Sequence, residues 1–141
     1  MYYLKTEQSF DSAHFLHGYL GKCANIHGHR WKIVATIKSR ELLKDQQNEG
    51  MITDFGNLKK DLKTITDNLD HALIIEEGSL SKKLYQALID ENFKIINLPF
   101  RPTAENLAKY IYELLAKTYD VDRIDVYETP NNCASYRGKD E

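Results

Sequence analysis

The sequence predicts an α+β fold: a four-stranded antiparallel sheet and two main helices in the order ββααββ. Three observations carry this. Tyr3 to Phe10 and Arg30 to Lys38 are strand-like, and in the second Trp31, Ile33, Ala35 and Ile37 alternate onto one face. Two later stretches repeat apolar residues at steps of three and four, the period of a helix packed on one side. Near the C-terminus, Arg123 to Thr129 and Cys133 to Arg137 flank Pro130-Asn131-Asn132, a hairpin signal. Paired strands separated by helices, with no run of βαβ units, indicate an antiparallel sheet with segregated helices.

Each element follows in order. Between the first two strands Gly18 and Gly21 supply turns in a loop that carries Cys23. The polar run Lys44 to Gly50 reads as an exposed connection. Asp54 is a good N-cap for a helix beginning near Phe55, whose apolar face is Phe55, Leu58, Leu62, Ile65 and Leu69. That helix runs out at Asp70-His71. Leu80, Leu84, Ala87 and Leu88 suggest a short helix, and Phe93 to Leu98 a short strand. Pro99 and Pro102 then punctuate the chain, and Thr103 caps a helix with Leu107, Ala108, Ile111, Leu114 and Leu115 on its buried face. With no internal repeat and no linker, residues 1–141 read as one domain.

Composition narrows the function classes. With nineteen basic and twenty-one acidic residues the formal net charge is −2, which argues against a bulk electrostatic grip on nucleic acid. Two well-separated cysteines do not make a disulfide framework. The chain opens directly on a strand pattern, without a basic-then-apolar leader, and holds no apolar run of membrane length. A cytoplasmic protein that neither spans nor binds a membrane is the expectation.

The chemistry concentrates in Cys23-Ala24-Asn25-Ile26-His27-Gly28-His29, taken with His14 upstream. In an extended segment His27 and His29 share a face, and continuing the phase of Trp31 and Ile33 backwards puts both on the apolar side. Phe10, Ser12 and His14 share a phase as well. Gly28, lacking a Cβ, lets the backbone bend or another group approach. Three inward-pointing histidines are a natural set for zinc, and three protein ligands leave a position for water or substrate. Cys23 either completes a closed structural site or stands free as a thiolate beside the metal.

Other polar residues divide similarly. Glu128 is in phase with Ile124 and Val126. Either it reaches water at the strand end, or it is held for a ligand offering paired N–H donors, as the amino-pyrimidinone edge of a pterin or guanine does. Asp70-His71 reads from its position as a helix end, with His complementing the dipole. His17 is read as a surface residue and Cys133 as a small buried hydrophobe. Lys22, Arg101 and Arg137 are candidates for an anionic ligand, though each alone fits a solvated surface. A guanine-nucleotide binder would need a Gly-rich phosphate loop, which the sequence lacks.

Taken together and in order, Phe10-Asp11-Ser12-Ala13-His14, Cys23-x-x-x-His27-Gly28-His29, Gly50 to Phe55, Leu69-Asp70-His71, Pro102 to Asn106 and Tyr127 to Pro130 resemble the 6-pyruvoyltetrahydropterin synthase family. The spacing of Cys23 from His27 is similar to that of its 6-carboxytetrahydropterin synthase branch, which works on the route to queuosine and other deazapurines. The resemblance implies a tunnelling fold whose small sheets join edge to edge into a barrel, as a homo-oligomer such as a trimer or hexamer. It implies zinc on His14, His27 and His29, and Glu128 and Thr103 binding a pterin triphosphate substrate. It further implies Cys23 as a base, with Asp70 and His71 completing a triad across a subunit interface. The segment from about Glu76 to Arg101 is longer than that branch leads one to expect.

Overall fold

A computed structural model describes residues 1–139. Its elements are β1 (Tyr2–His14), a 3-10 turn (Lys22–Ala24), β2 (His27–Ser39), α1 (Phe55–Leu69), β3 (Leu73–Glu76), α2 (Lys82–Asp90), β4 (Ile95–Leu98), α3 (Ala104–Leu115), β5 (Val121–Thr129) and β6 (Asn132–Tyr136). The strands form one six-stranded sheet in the order β4-β3-β1-β2-β5-β6. The four expected strands are its antiparallel part, β1-β2-β5-β6. The other two correct the expectation: β3 runs parallel to β1, and β4 parallel to β3. Beside the two main helices α1 and α3, the third helix, α2, is the short one that Leu84, Ala87 and Leu88 suggest.

The physical reason β3 escapes a sequence reading is its burial. Ile74 and Ile75 are adjacent and both buried, so the segment lacks the alternation of a half-exposed strand. Only four residues long, it is hard to tell from the end of α1. The short helix and strand expected within 79–98 are present as α2 and β4. No residue of α2 is buried, so this helix sits at the rim of the core.

The core lies between one face of the sheet and α1 with α3. Phe10, Trp31, Ile33, Ala35, Ile37, Ile124 and Val126 meet Leu58, Leu62 and Leu69 from α1 and Leu107, Ala108, Ile111 and Leu115 from α3. Burying each large aliphatic side chain contributes about 1.5–3 kcal/mol, so these two helix faces hold the sheet against them. The expected caps form: Asp54 accepts from the Gly56 amide at 2.6 Å and Thr103 from the Asn106 amide at 3.2 Å. Two expectations fail. Phe55, expected on the buried face, is 58% exposed because it occupies the first turn, before the helix reaches the sheet. Cys133 is exposed: it pairs opposite Tyr127, whose side chain points away from the helices. Among the described residues no helix is long and apolar enough to cross a membrane.

Candidate active site

Strand pairing sets the three imidazoles. His14 ends β1 directly opposite His27, the first residue of β2, and His29 follows on the same face. Their ring centroids are 4.6, 4.9 and 5.2 Å apart. Trp31 is the floor beneath them. Its ring meets His14 and His29 edge-on at 4.9 and 5.3 Å, and its indole N–H donates to the Ser12 carbonyl at 3.1 Å. Gly28 lies in regular strand opposite Ala13, so no bend is made there.

Hydrogen bonding decides which nitrogen is free in two of the rings. His14 Nδ1 lies 2.8 Å from the Pro102 carbonyl, and His27 Nδ1 lies 2.7 Å from the Asn25 carbonyl. A carbonyl can only accept, so in both rings Nδ1 carries the proton and Nε2 presents a bare lone pair. The Nε2 atoms of His14, His27 and His29 are all buried and lack hydrogen-bond partners. Buried polar atoms are rarely orphaned. Three of them converging make a donor set that suits a divalent ion, and carbonyl bonds at the far nitrogens orient metal-binding histidines in this way.

Glu128 joins this group, which the sequence reading did not anticipate. Its Oε1 lies 2.8 Å from His29 Nε2 and 3.8 Å from His14 Nε2. The approach to His29 is off the line of a ring N–H, so that nitrogen stays unsatisfied. Ligand atoms of His14, His27, His29 and Glu128 all lie within 4.8 Å of one another. Burial, the largest influence, holds the His14 pKa below its ordinary 6.5; His27 and His29 add to the effect, while the Pro102 carbonyl and Glu128 oppose it. His29 is lowered for the same first reason, against the pull of Glu128. Both rings therefore stay unprotonated to lower pH than a free imidazole.

Cys23 sits half-buried in the 3-10 turn, where its carbonyl accepts from the Leu16 amide at 2.9 Å. Its thiol lies outside the four-atom group, so the closed Cys-plus-three-His arrangement does not form within the chain. His17 is exposed, and its carbonyl accepts from Arg101 at 2.7 Å. Thr103 serves α3 as its cap, one residue beyond the Pro102 carbonyl that orients His14.

Asp70 and His71 are brought together at the corner between α1 and β3. His71 Nδ1 lies 2.8 Å from Asp70 Oδ2, and the corner is locked to β1 on both sides. The Asp11 amide donates to Asp70 Oδ1 at 2.9 Å, and the His71 amide donates to the Asp11 carbonyl at 2.6 Å. Arg30 in turn holds the Asp11 carboxylate with two bonds of 2.9 and 3.0 Å. His71 has a φ of 52°, left-handed backbone that a non-glycine residue adopts only when its surroundings impose it. Lys94 donates to the Asp67 and Asp70 carbonyls at 3.1 and 2.8 Å, closing the end of α1. No hydrogen bond joins Cys23 to this pair among the described residues. His71 and His29 both line one cavity of about 600 Å³, whose far wall is Leu88, Phe93 and Lys94. The long segment after Glu76 thus supplies part of the pocket.

Fold and site together define a class: an α+β protein with a strand-end group able to hold a metal ion. The 6-pyruvoyl tetrahydropterin synthase family matches residues 3–139, and the chain belongs to that family. It is 36% identical to the 6-carboxy-5,6,7,8-tetrahydropterin synthase of Haemophilus influenzae, over 97% of this chain and 99% of that one. It is 34% identical to the protein of the same name from Rickettsia bellii, over 86% of this chain and 90% of that one. Among solved structures, the 6-pyruvoyl tetrahydropterin synthase of Caenorhabditis elegans superposes with a TM-score of 0.70 at 25% identity, covering 98% and 96%. An uncharacterized protein from Wolinella succinogenes shares the fold more closely, with a TM-score of 0.84 at 23% identity and 98% coverage of both chains.

The Asp70 corner generates a pH prediction. The Asp11 amide, then the His71 hydrogen bond, hold the Asp70 carboxyl below its ordinary value of 3.8, with Lys94 contributing. A depressed folded-state value means stability that is present above 3.8 and lost as pH falls through the folded value. Asp70→Asn is therefore expected to unfold at lower urea than the parent at about pH 7, with the gap narrowing at about pH 3. An equal gap at both would show that the charge of Asp70 contributes nothing.

Proposed function

We propose that the chain converts 7,8-dihydroneopterin triphosphate to 6-carboxy-5,6,7,8-tetrahydropterin, releasing acetaldehyde and triphosphate, on the route to queuosine. The observation that carries the reading is the convergence of three buried Nε2 atoms without hydrogen-bond partners, in a chain whose named relatives are synthases of that product. His14, His27 and His29 would hold zinc. Bound there, zinc supplies Lewis-acid stabilisation of the negative charge that develops on a substrate oxygen as a carbon-bound proton leaves.

The remaining roles belong to the chain's own groups. Glu128 accepts the paired N–H donors of the pterin edge, a charge-assisted contact that fixes the ring's orientation. Thr103 lends its hydroxyl to substrate binding while its oxygen caps α3. Cys23, as thiolate, removes the carbon-bound proton. Asp70 holds His71 by its Nδ1, leaving His71 Nε2 to exchange that proton. Conformational strain at His71 is consistent with such a role, since strained residues persist where neighbours impose them. A closed structural metal module is disfavoured by the position of Cys23. The remaining alternative is a 6-pyruvoyltetrahydropterin synthase, which stops after triphosphate loss.

Assembly belongs to the same proposal. Both edges of the sheet, β4 and β6, carry unpaired backbone groups that invite pairing with copies of the chain. Edge-to-edge pairing would also bring a neighbour's Cys23 toward Asp70 and His71. Sedimentation is expected to give a closed oligomer, a trimer or hexamer; a fully active monomer would contradict this.

Incubating zinc-loaded protein with dihydroneopterin triphosphate is expected to release acetaldehyde and a carboxypterin, whereas a pyruvoyl product would favour the alternative. Cys23→Ala is expected to keep its metal and lose about 10²–10⁴-fold in turnover, the usual worth of a positioned proton-transfer group. Metal lost from Cys23→Ala would make the cysteine a ligand instead.

A further inference from the structure

We propose that Glu128 is a displaceable fourth ligand of the metal centre: it closes the site at rest and leaves when the pterin edge arrives. The inference rests on the zinc and pterin reading above and adds a second state to it. Sequence phase alone suggested a ligand anchor; the structure adds that the carboxylate stands among the three imidazoles.

Placement is the first support. Around a tetrahedral ion with bonds near 2.0–2.1 Å, neighbouring donor atoms sit about 3.4 Å apart. Glu128 Oε1 lies 2.8 Å from His29 Nε2 and 3.8 Å from His14 Nε2, straddling that spacing. Close as this oxygen is, His29 Nε2 has no well-aligned hydrogen-bond partner. The four ligand atoms lie within 4.8 Å of one another, close enough to share one ion.

Freedom to move is the second support, and it comes from the backbone. Tyr127 pairs with Cys133 and Thr129 with Asn132, so Glu128 is an extra residue in the β5–β6 ladder. A bulge takes its residue out of the ladder and re-aims the side chain. The Glu128 side chain is 29% exposed, against 16% for His29 and 2% for His14. The three histidines, by contrast, are fixed in regular strand. One member of the four can swing, and it is the carboxylate.

The consequence couples recognition to activation. With Glu128 in place, three imidazoles and a carboxylate would together hold the ion. Paired N–H donors of an amino-pyrimidinone edge compete for the same carboxylate oxygens. When they win, the vacated position opens to a substrate oxygen, and the centre becomes reactive only with the pterin seated.

Cobalt(II) tests this without reference to turnover. Metal-free protein is titrated with cobalt against a competing chelator, and the cobalt absorption spectrum is recorded with and without pterin that lacks a side chain. Glu128→Gln is expected to bind cobalt about 10–100-fold more weakly, at least the loss that follows removal of a supporting partner of a metal ligand. In the parent protein, bound pterin is expected to shift the spectrum; in Glu128→Gln it is not. If Glu128→Gln binds cobalt as tightly as the parent while His27→Ala loses it, the carboxylate is no ligand and this inference falls alone. A parent spectrum unmoved by bound pterin would overturn displacement. If His27→Ala also keeps its cobalt, the three-histidine reading itself fails.

Discussion

The register of β1 against β2 is the constraint on which the rest depends. Phe10 lies opposite Trp31 and stacks on it at 6.0 Å, and His14 lies opposite His27. Because side chains alternate, a slip of one residue would turn Trp31, Ile33, Ala35 and Ile37 to solvent, and His27 and His29 with them. The apolar residues that hold the helices against the sheet therefore also aim the imidazoles. Core packing and site geometry are one specification.

What converts three nearby histidines into a donor set is less visible: two backbone carbonyls and burial. Pro102 and Asn25 take the Nδ1 protons, and the apolar floor of Trp31 disfavours charge on His14. Pro102 comes from the turn before α3, so the helix capped by Thr103 and the end of β1 meet at the metal group. A second centre lies across the cavity, where Asp11, Arg30 and Lys94 fix Asp70 and His71. The two groups are held by different elements, and of the four grouped residues His29 is the one that shares a cavity with His71.

Much of this was legible in the sequence, for reasons that can be named. Alternation exposed β2 and predicted that His27 and His29 point inward, and Asp54 and Thr103 marked their helices because capping is local chemistry. β3 was not legible, since Ile74 and Ile75 are both buried and carry no period. The carbonyls of Pro102 and Asn25 have no sequence signal, because every residue has one. Glu128 was noticed through its phase with Ile124 and Val126, but the bulge that turns it toward His29 depends on pairing with β6. Cys133 misled because its small apolar side chain fits a core as readily as a surface. The 76–101 segment gained a function when Leu88, Phe93 and Lys94 proved to wall the cavity of His71.

The arrangement of His14, His27, His29 and Glu128 puts imidazoles and oxygen on a bound metal, with Cys23 apart. X-ray absorption at the zinc edge of the loaded protein, without substrate, tests it most directly. The account predicts three imidazole nitrogens and one oxygen donor at about 2.0–2.1 Å, with no heavier scatterer. A sulfur shell at about 2.3 Å would place Cys23 on the ion and contradict it.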